Sequence, residues 1–210
     1  MACTLCLIRH GETSWNVERR LQGHLDVPLN EAGRRQACLS AAALAGQSFS
    51  ALYCSDLGRA HETARWIAEA LGLDPVPLES LRERHYGAFQ GLTYDEARTR
   101  FPEDYARFAA REITTALPGG GESLAAFATR IRRALEALTQ RHHGERILVV
   151  THGGVLDIAH RMARPMHLDA PRDFEIPNAA LNWIRGSGSG WQLLGWADRT
   201  HLAAALDELR

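Results

Sequence analysis

The sequence predicts an α/β fold in which a mostly parallel central sheet lies between two layers of helices. Short apolar runs alternate along the chain with longer stretches whose apolar residues recur every three or four positions. The run "RILVVT" is unbroken and rich in branched residues, as in a strand that is buried on both faces. Strands that alternate with helices in this way are typical of three-layer α/β/α proteins.

The first part of the chain alternates between strands and helices. Residues 4–8 predict a buried strand, because this short apolar run stops at a charged turn. An alanine-rich helix begins near Glu31 and ends at a glycine, and residues 51–55 predict a second strand. A second helix follows with Gly72 near its end, and residues 76–80 predict a third strand.

Residues 81–121 interrupt the alternation with aromatic, charged and glycine residues that end in "PGGGES". We expect this segment to be an excursion over one end of the sheet, within a single domain that covers residues 1–210. After it, the pattern predicts a helix over 122–144, a strand over 146–151, a helix in "GGVLDIAHRMA", and two short strands around 181–184 and 191–196.

Composition limits the classes of partner. The net charge is −1, so neither a nucleic acid nor an anionic membrane is an expected partner. An anionic small molecule must then be bound by locally placed arginines. No secretory leader is recognised and no apolar run approaches the roughly 18 residues that span a bilayer. We therefore expect a cytoplasmic protein.

The cysteines and histidines do not predict a metal site. Cys3, Cys6, Cys38 and Cys54 fit reduced thiols in the cytoplasm. The pair in "CTLC" has the spacing of metal ligands, but residues three apart on a strand point to opposite faces. The ten histidines show no HExxH or Cys/His ligand spacing. We therefore expect no metal and no other cofactor.

Charged and histidine residues stand where three predicted strands end. The first strand ends in Arg9-His10-Gly11, the second leads to Arg59, and the late strand ends in Thr151-His152-Gly153-Gly154. Ligands of open α/β sheets bind at the carboxyl ends of the strands, so these side chains are candidates to converge. A helix N-terminus after His152 would also favour an anion.

This combination of residues suits a phosphoryl group. Guanidinium groups match phosphate oxygens, and a neutral imidazole is a competent nucleophile near pH 7. Neighbouring cations disfavour protonation of that imidazole. Arg9 would then hold the phosphate and His10 would attack it.

Four motifs resemble those of the histidine phosphatase superfamily, in its phosphoglycerate mutase-like branch. They are "LIRHGETSWN", "SDLGRAHETA", "LRERHYGAFQG" and "VVTHGG", and they occur in the family's order over nearly the whole chain. Within that family, the chain is most similar to small phosphatases. The resemblance implies the phosphoglycerate mutase-like α/β/α fold, with residues 81–121 over the active site.

The resemblance also implies roles for individual residues. His10 would be the nucleophile that becomes phosphohistidine, and Glu83 the proton donor to the leaving oxygen. Such a carboxyl group must hold its proton near neutral pH, a form that burial or a bound phosphate dianion favours. The residues that would bind the phosphoryl group or the substrate are Arg9, Arg59, His152, Asn16, Gln22, Gly23 and Gly153.

Departures from the mutase pattern favour hydrolysis over transfer. Thr93-Tyr94 stands where mutases have an asparagine-lysine pair, and the tryptophan followed by paired arginines is missing from residues 95–121. "PGGGES" is similar to the matching part of small phosphatases. We therefore expect a metal-independent phosphomonoesterase that acts on small phosphorylated metabolites. The alternatives are a cofactor-dependent phosphoglycerate mutase and a non-catalytic phosphate-binding protein of the same fold.

Several assignments have a second interpretation. Asn16 could cap a helix or shape a turn, and Glu83 could form surface ion pairs. Glu12 could orient an arginine, and His85 alone of the remaining histidines could line the pocket beside Glu83. Five aromatic residues are expected in the core: Trp15, Tyr86, Phe89, Tyr94 and Trp183. The sequence pattern does not determine the oligomeric state, and the resemblance leaves open a homodimer, which is common in the family.

Overall fold

The computed structural model describes residues 1–203, and over that range it contains six strands and seven α-helices. The strands are β1 Cys3–Arg9, β2 Ala51–Ser55, β3 Pro75–Leu78, β4 Arg146–Thr151, β5 Leu181–Ser187 and β6 Gly190–Asp198. The helices are α1 Ser14–Val17, α2 Glu31–Leu44, α3 Gly58–Leu71, α4 Tyr94–Arg100, α5 Pro102–Ala109, α6 Leu124–Arg141 and α7 Gly153–Ala163. The last seven residues of the predicted domain, 204–210, lie outside the described residues.

All six strands form one sheet in the order β3-β2-β4-β1-β5-β6. The first four strands in that order run parallel, and β5 and β6 are antiparallel additions at one edge. β4 lies between β2 and β1, and its residues 147–151 are buried, as its branched sequence predicts. The predicted α/β fold with a mostly parallel sheet is confirmed.

Helices cover both faces of the sheet, and the sheet separates two hydrophobic cores. One core contains buried residues of α2 and α3, and the other contains buried residues of α6 and α7. Cys6 belongs to the first core and Cys3 to the second, so their side chains lie on opposite faces, as expected. All four cysteines are free thiols. No helix within residues 1–203 has the length and apolar character needed to cross a membrane.

The segment 81–121 has more regular structure than the sequence analysis assigned. α4 and α5 lie within it, and neither was predicted, because seven or eight residues are too few to show a helical period. Their local signals are a Thr93–Glu96 capping box and Pro102 in the first turn. A third hydrophobic cluster forms around Phe89, Ala97 and other residues of this segment. At the other end, β5 extends through Ser187, beyond the predicted 181–184.

Candidate active site

The pairing of β1 with β4 brings the two motif histidines together. Arg9 lies opposite Thr151 in the parallel register, and the His10 backbone N–H donates to the Thr151 carbonyl at 2.9 Å. His10 and His152 therefore lie next to each other, directly after the paired ends of β1 and β4 at the carboxyl edge of the sheet. Their ring centroids are 5.3 Å apart, with the rings edge to face. The predicted convergence of these two side chains is thus a consequence of strand order.

His10 has the hydrogen bonds of a neutral imidazole with a directed lone pair. Its Nδ1 is 2.7 Å from the Gly11 carbonyl oxygen, which can only accept, so Nδ1 carries the proton. Nε2 accepts from Arg59 Nε at 3.3 Å. Burial lowers the pKa of His10 well below its ordinary value, and Arg59 and Arg9 add to that lowering. The Nε2 lone pair is therefore present at neutral pH and faces the cationic cluster.

Arg59 is fully buried and is held by backbone carbonyl groups. Its Nη2 donates to the Gly23 carbonyl at 2.8 Å and its Nη1 to the Leu25 carbonyl at 2.9 Å. Burial lowers the pKa of Arg59 to about 10, so the guanidinium remains charged near neutrality. Gly23 has a φ of +56°, and a Cβ there would lie 2.1 Å from Gln90 Oε1. Gly23 thus orients Arg59 through its carbonyl group.

Arg9 enters the same site from the end of β1. Its Nη1 donates to the Ile176 carbonyl at 2.8 Å, while its buried Nε has no hydrogen-bond partner among residues 1–203. A Cβ on Gly153 would lie 3.5 Å from Arg9 Nε, so the helix α7 packs closely against this guanidinium. Burial lowers the pKa of Arg9. An anion in the site would supply the partner that Nε lacks.

His152 lies behind His10 and is not among the residues that line the adjoining cavity. It is fully buried, and neither ring nitrogen has a hydrogen-bond partner in the part of the chain that the structure describes. Burial lowers the pKa of His152 well below its ordinary value, and Arg59 adds to the effect. A buried imidazole without a partner is costly, so these nitrogens favour a ligand at the site. The predicted contact of His152 with phosphoryl oxygens stays a prediction.

Glu83 lies opposite this cluster, and the first turn of α7 positions its carboxylate. Its Oε2 accepts from the Gly154 N–H at 2.9 Å and its Oε1 from the Arg84 N–H at 2.8 Å. A Cβ on Gly154 would lie 2.1 Å from Glu83 Oε1, so only glycine leaves the carboxylate in this position. The sequence analysis gave Gly154 no role, although its signal was the doubled glycine of "VVTHGG". The proton-donor role of Glu83 stays a prediction.

Asn16 and Gln22 both line the cavity. Asn16 also closes a capping box at α1, where its Oδ1 accepts from the Thr13 N–H at 3.0 Å. The helix-capping interpretation is therefore correct, and the residue still faces the cavity. Gln22 is buried, with no hydrogen-bond partner for Oε1 among the described residues. Asn178, which the sequence analysis missed, donates to the His10 carbonyl at 2.9 Å and so braces the start of this loop.

Two residues whose roles were left open lie outside the cavity lining. Glu12 accepts from Asn30 Nδ2 at 2.8 Å and contacts no arginine among its hydrogen-bond partners in the described chain. His85 accepts from the Gly87 N–H and packs against His24, with ring centroids 4.8 Å apart. Both residues support loops instead of facing the cavity.

A cavity of about 810 Å³ opens in front of His10. Trp15, Tyr86 and Tyr94 line it, so the expectation that they belong to the core is wrong for Trp15 and Tyr94. Tyr86 both lines the cavity and packs against the cluster around Phe89, which is fully buried as expected. The Tyr86 and Tyr94 rings reach the surface of the cavity because residues 81–121 fold over this end of the sheet, whereas Trp15 belongs to α1. Arginines line much of the remainder: Arg9, Arg19, Arg20, Arg59, Arg84, Arg98, Arg111 and Arg172.

A neutral imidazole, several guanidinium groups and one buried carboxylate are suited to transfer of a phosphoryl group. Within residues 1–203, no cluster of three or more His, Cys, Asp or Glu side chains could hold a metal ion. The fold and the site therefore define a phosphate-handling α/β enzyme whose positive charge comes from arginines.

Comparison with known proteins agrees with this class. A model of the histidine phosphatase superfamily (branch 1) matches residues 5–199. Phosphoglycerate mutase-like protein 4 of Arabidopsis thaliana is 46% identical over 201 residues, which are 94% of this chain and 86% of that protein. The metal-independent phosphoserine phosphatase of Arabidopsis thaliana is 38% identical over 205 residues, or 95% and 83% of the two chains. A mycobacterial glucosyl-3-phosphoglycerate phosphatase structure has a TM-score of 0.82 and 31% identity, covering 94% of this chain and 100% of that one.

The chain belongs to the histidine phosphatase superfamily. The family match spans all four motifs from which the resemblance was recognised. Named phosphatases stand among its relatives and its structural neighbours, so the prediction of a phosphatase of this superfamily is confirmed at that level.

Proposed function

We propose that the chain is a metal-independent phosphomonoesterase that acts on small phosphorylated metabolites through a phosphohistidine on His10. The observation that supports this most strongly is the neutral His10 ring, whose Nε2 lone pair faces Arg59 at 3.3 Å. Arg9 and Arg59 would bind the phosphate oxygens of the substrate and bring its phosphorus to Nε2.

In the first step, the His10 Nε2 lone pair attacks phosphorus and the ester P–O bond breaks. The electron pair of that bond leaves on the ester oxygen, which takes a proton from the Glu83 carboxyl group. The guanidinium groups of Arg9 and Arg59 stabilise charge on the three phosphoryl oxygens. The products are an alcohol and phosphohistidine.

In the second step, water attacks the phosphorus of phosphohistidine. The Glu83 carboxylate takes a proton from the water, so it returns to its starting form. The P–N bond breaks, its electron pair returns to His10 Nε2, and inorganic phosphate leaves. The cycle uses one water and consumes one phosphomonoester without a metal.

The cavity supports hydrolysis more than transfer between hydroxyls. Thr93 and Tyr94, which stand in place of the mutases' asparagine-lysine pair, both line it. A phenol and a hydroxyl supply no positive charge at this position to grip a substrate carboxylate. The relatives also support the mutase alternative, since several of them are named phosphoglycerate mutase or mutase-like.

The decisive experiment compares His10→Ala with wild type on a panel of phosphomonoesters, with and without a chelator. We expect the variant to lose at least about a thousandfold in kcat, because the nucleophile is removed. His143→Ala is the matched control, since this histidine is exposed and outside the cavity lining. Loss of wild-type activity on chelation, or full activity of His10→Ala, would contradict the proposal.

Two further measurements separate the alternatives. A phosphatase releases phosphate from the panel, whereas a mutase interconverts 2- and 3-phosphoglycerate with stimulation by 2,3-bisphosphoglycerate. A labelled phosphate donor should give an acid-labile, base-stable adduct on wild type and none on His10→Ala. A non-catalytic binding protein would bind phosphate with no adduct and no turnover. We also propose a cytoplasmic site of action, which fractionation of cells would test.

A further inference from the structure

The cavity has positive charge that the phosphate-binding arginines do not account for. Near its rim, some arginines are neutralised, since Arg20 pairs with Glu18 and Glu96 and Arg98 lies 3.3 Å from Asp95. Elsewhere in the lining, Arg111 and Arg172 have only one carboxylate between them. This local excess of positive charge is large enough to select a ligand by charge.

The shared carboxylate belongs to Asp157, one turn into α7 beyond the glycines that pack against Arg9 and Glu83. Its Oδ2 accepts from Arg111 at 2.7 Å and from Arg161 at 3.2 Å, and Arg172 Nε lies 3.4 Å from its Oδ1. The Asp157 side chain is only 6% exposed. One buried carboxylate thus faces three guanidinium groups, which leaves two positive charges in excess.

Arg161 uses its hydrogen bonds within the fold. Besides the bond to Asp157, its Nη1 and Nη2 donate to the carbonyl groups of His167 and Ala170. Its side chain is almost completely buried and does not line the cavity. Arg161 therefore fixes Asp157 and the following loop, and the groups that can meet a ligand are those of Arg111 and Arg172.

Arg111 occupies a backbone position that glycine normally takes. It follows α5 immediately after the C-cap Ala110 and has a φ of +56°. An arginine there costs about 1 kcal/mol relative to glycine, a cost often associated with function. Its Nε donates to the Leu168 carbonyl at 2.8 Å and its Nη2 to Asp157, while its Nη1 has no partner among residues 1–203. The guanidinium is oriented with one edge free.

Arg172 is the more exposed member of the pair. Its side chain is 48% exposed, and the contact recorded with Asp157 joins Nε to Oδ1 at 3.4 Å. That contact is not a hydrogen bond, since Asp157 Oδ1 has no hydrogen-bond partner among the described residues. Arg172 also lies near enough to the phosphate site to lower the pKa of Arg9, although burial is the larger cause. An anion between Arg111 and Arg172 would therefore lie in the same cavity as a phosphate held by Arg9.

We propose that Arg111 and Arg172, joined through Asp157, form a second anion subsite that selects phosphomonoesters carrying a second negative group. A carboxylate and a second phosphate share the required chemistry. This inference rests on the proposed phosphatase function. The cavity of about 810 Å³ has room for a metabolite with two separated anionic groups.

The test uses pairs of substrates that differ only in the second anion. O-phosphoserine and O-phosphoethanolamine differ by a carboxylate, and propane-1,3-diol bisphosphate and its monophosphate differ by a phosphate. We expect wild type to prefer one or both anionic members in kcat/KM. Arg172→Gln should reduce kcat/KM for the preferred substrate by about tenfold to a hundredfold, because a charge-assisted hydrogen bond is lost. The loss should appear mainly in KM, with kcat/KM for the analogue that lacks the second anion changed less than about twofold.

Arg164→Gln is the matched control, because Arg164 is also exposed, lies eight residues away and does not line the cavity. Arg111→Gln should repeat the Arg172→Gln result, and Arg172→Gln keeps the test valid if Arg111→Gln fails to fold. Equal turnover of both members of both pairs by wild type would overturn the subsite. So would a preference that survives both variants. Absence of His10-dependent hydrolysis for every substrate would instead overturn the proposed function.

Discussion

The substitution Gly154→Ala is expected to displace the Glu83 carboxylate while leaving the fold intact. The new Cβ would lie 2.1 Å from Glu83 Oε1, whereas ordinary contacts begin near 3.4 Å. The nearest obstacle is the end of a flexible side chain, so the carboxylate can retreat. Phe127 Cε1, at 3.1 Å, needs to move by only a few tenths of an ångström. The substitution should therefore change mainly the position of the Glu83 carboxylate.

The size of the effect follows from this geometry. The carboxylate must retreat by roughly 1 Å, and such a misplacement of a reacting group costs about a hundredfold in rate. The 2.9 Å hydrogen bond from the Gly154 N–H to Glu83 Oε2 is weakened as well. Stability should change little or rise by up to about 1 kcal/mol, since alanine is a better helix former than glycine. Gly153→Ala should be milder, because its Cβ meets Arg9 Nε at an ordinary 3.5 Å.

The assay compares two esters that differ in their need for a proton. Cleavage of an alkyl phosphate releases a strongly basic alkoxide that needs a proton. Cleavage of p-nitrophenyl phosphate releases p-nitrophenolate, a stable anion that leaves without an acid. We expect Gly154→Ala to lower kcat/KM about a hundredfold for the alkyl ester and less than about tenfold for the nitrophenyl ester. Urea unfolding checks the fold. An equal loss on both esters by a normally folded variant would refute the acid role of Glu83.

Three further predictions concern the histidines and the residues around them. The folded-state pKa values of His10 and His152 lie well below 6.5, so below pH 6.5 the unfolded chain binds more protons than the folded chain. The free energy of unfolding should therefore fall as the pH drops below 6.5, by up to about 1.4 kcal/mol per pH unit for each histidine. Urea titrations at several pH values would measure this fall. Arg59→Lys should lower kcat by about a hundredfold or more, because an ammonium group cannot keep both hydrogen bonds to the backbone carbonyl groups and still reach the phosphate. Steady-state kinetics would measure the loss, and an unchanged circular dichroism spectrum would show that the variant is folded. Gly11→Ala should destabilise the fold by about 1–3 kcal/mol, because its Cβ would lie 2.3 Å from the Gly33 carbonyl oxygen, and an unchanged urea midpoint would contradict this.

Much of the site was predictable because its residues follow strands. His10 and His152 each come directly after an apolar run, and parallel strands end at one edge of a sheet. Arg59 was predictable for the same reason, since it follows β2 at the start of α3. The sequence pattern does not contain the strand order. Only the pairing of β1 with β4 turns two residues at one edge into rings 5.3 Å apart.

The segment 81–121 was harder to predict because tertiary contacts decide its structure. Helices as short as α4 and α5 are marginal alone, and here they pack around Phe89 and its neighbours. That packing determines which face of the segment meets the cavity. Tyr86 and Tyr94 therefore line the cavity, although their residue type is equally typical of a core. Gly154 was missed for a different reason, since its requirement arises from Glu83, 71 residues earlier.

One helix connects the three functions assigned to the cavity. Gly153 at the start of α7 packs against Arg9, Gly154 holds the Glu83 carboxylate, and Asp157 one turn later holds Arg111. The proposed phosphate binding, proton transfer and selection of a second anion would thus share one rigid element that begins at His152. Because α7 is packed into the core along its length, its side chains cannot shift independently. A substitution that tilts α7 should therefore impair all three functions together, whereas Gly154→Ala and Arg172→Gln should each impair one.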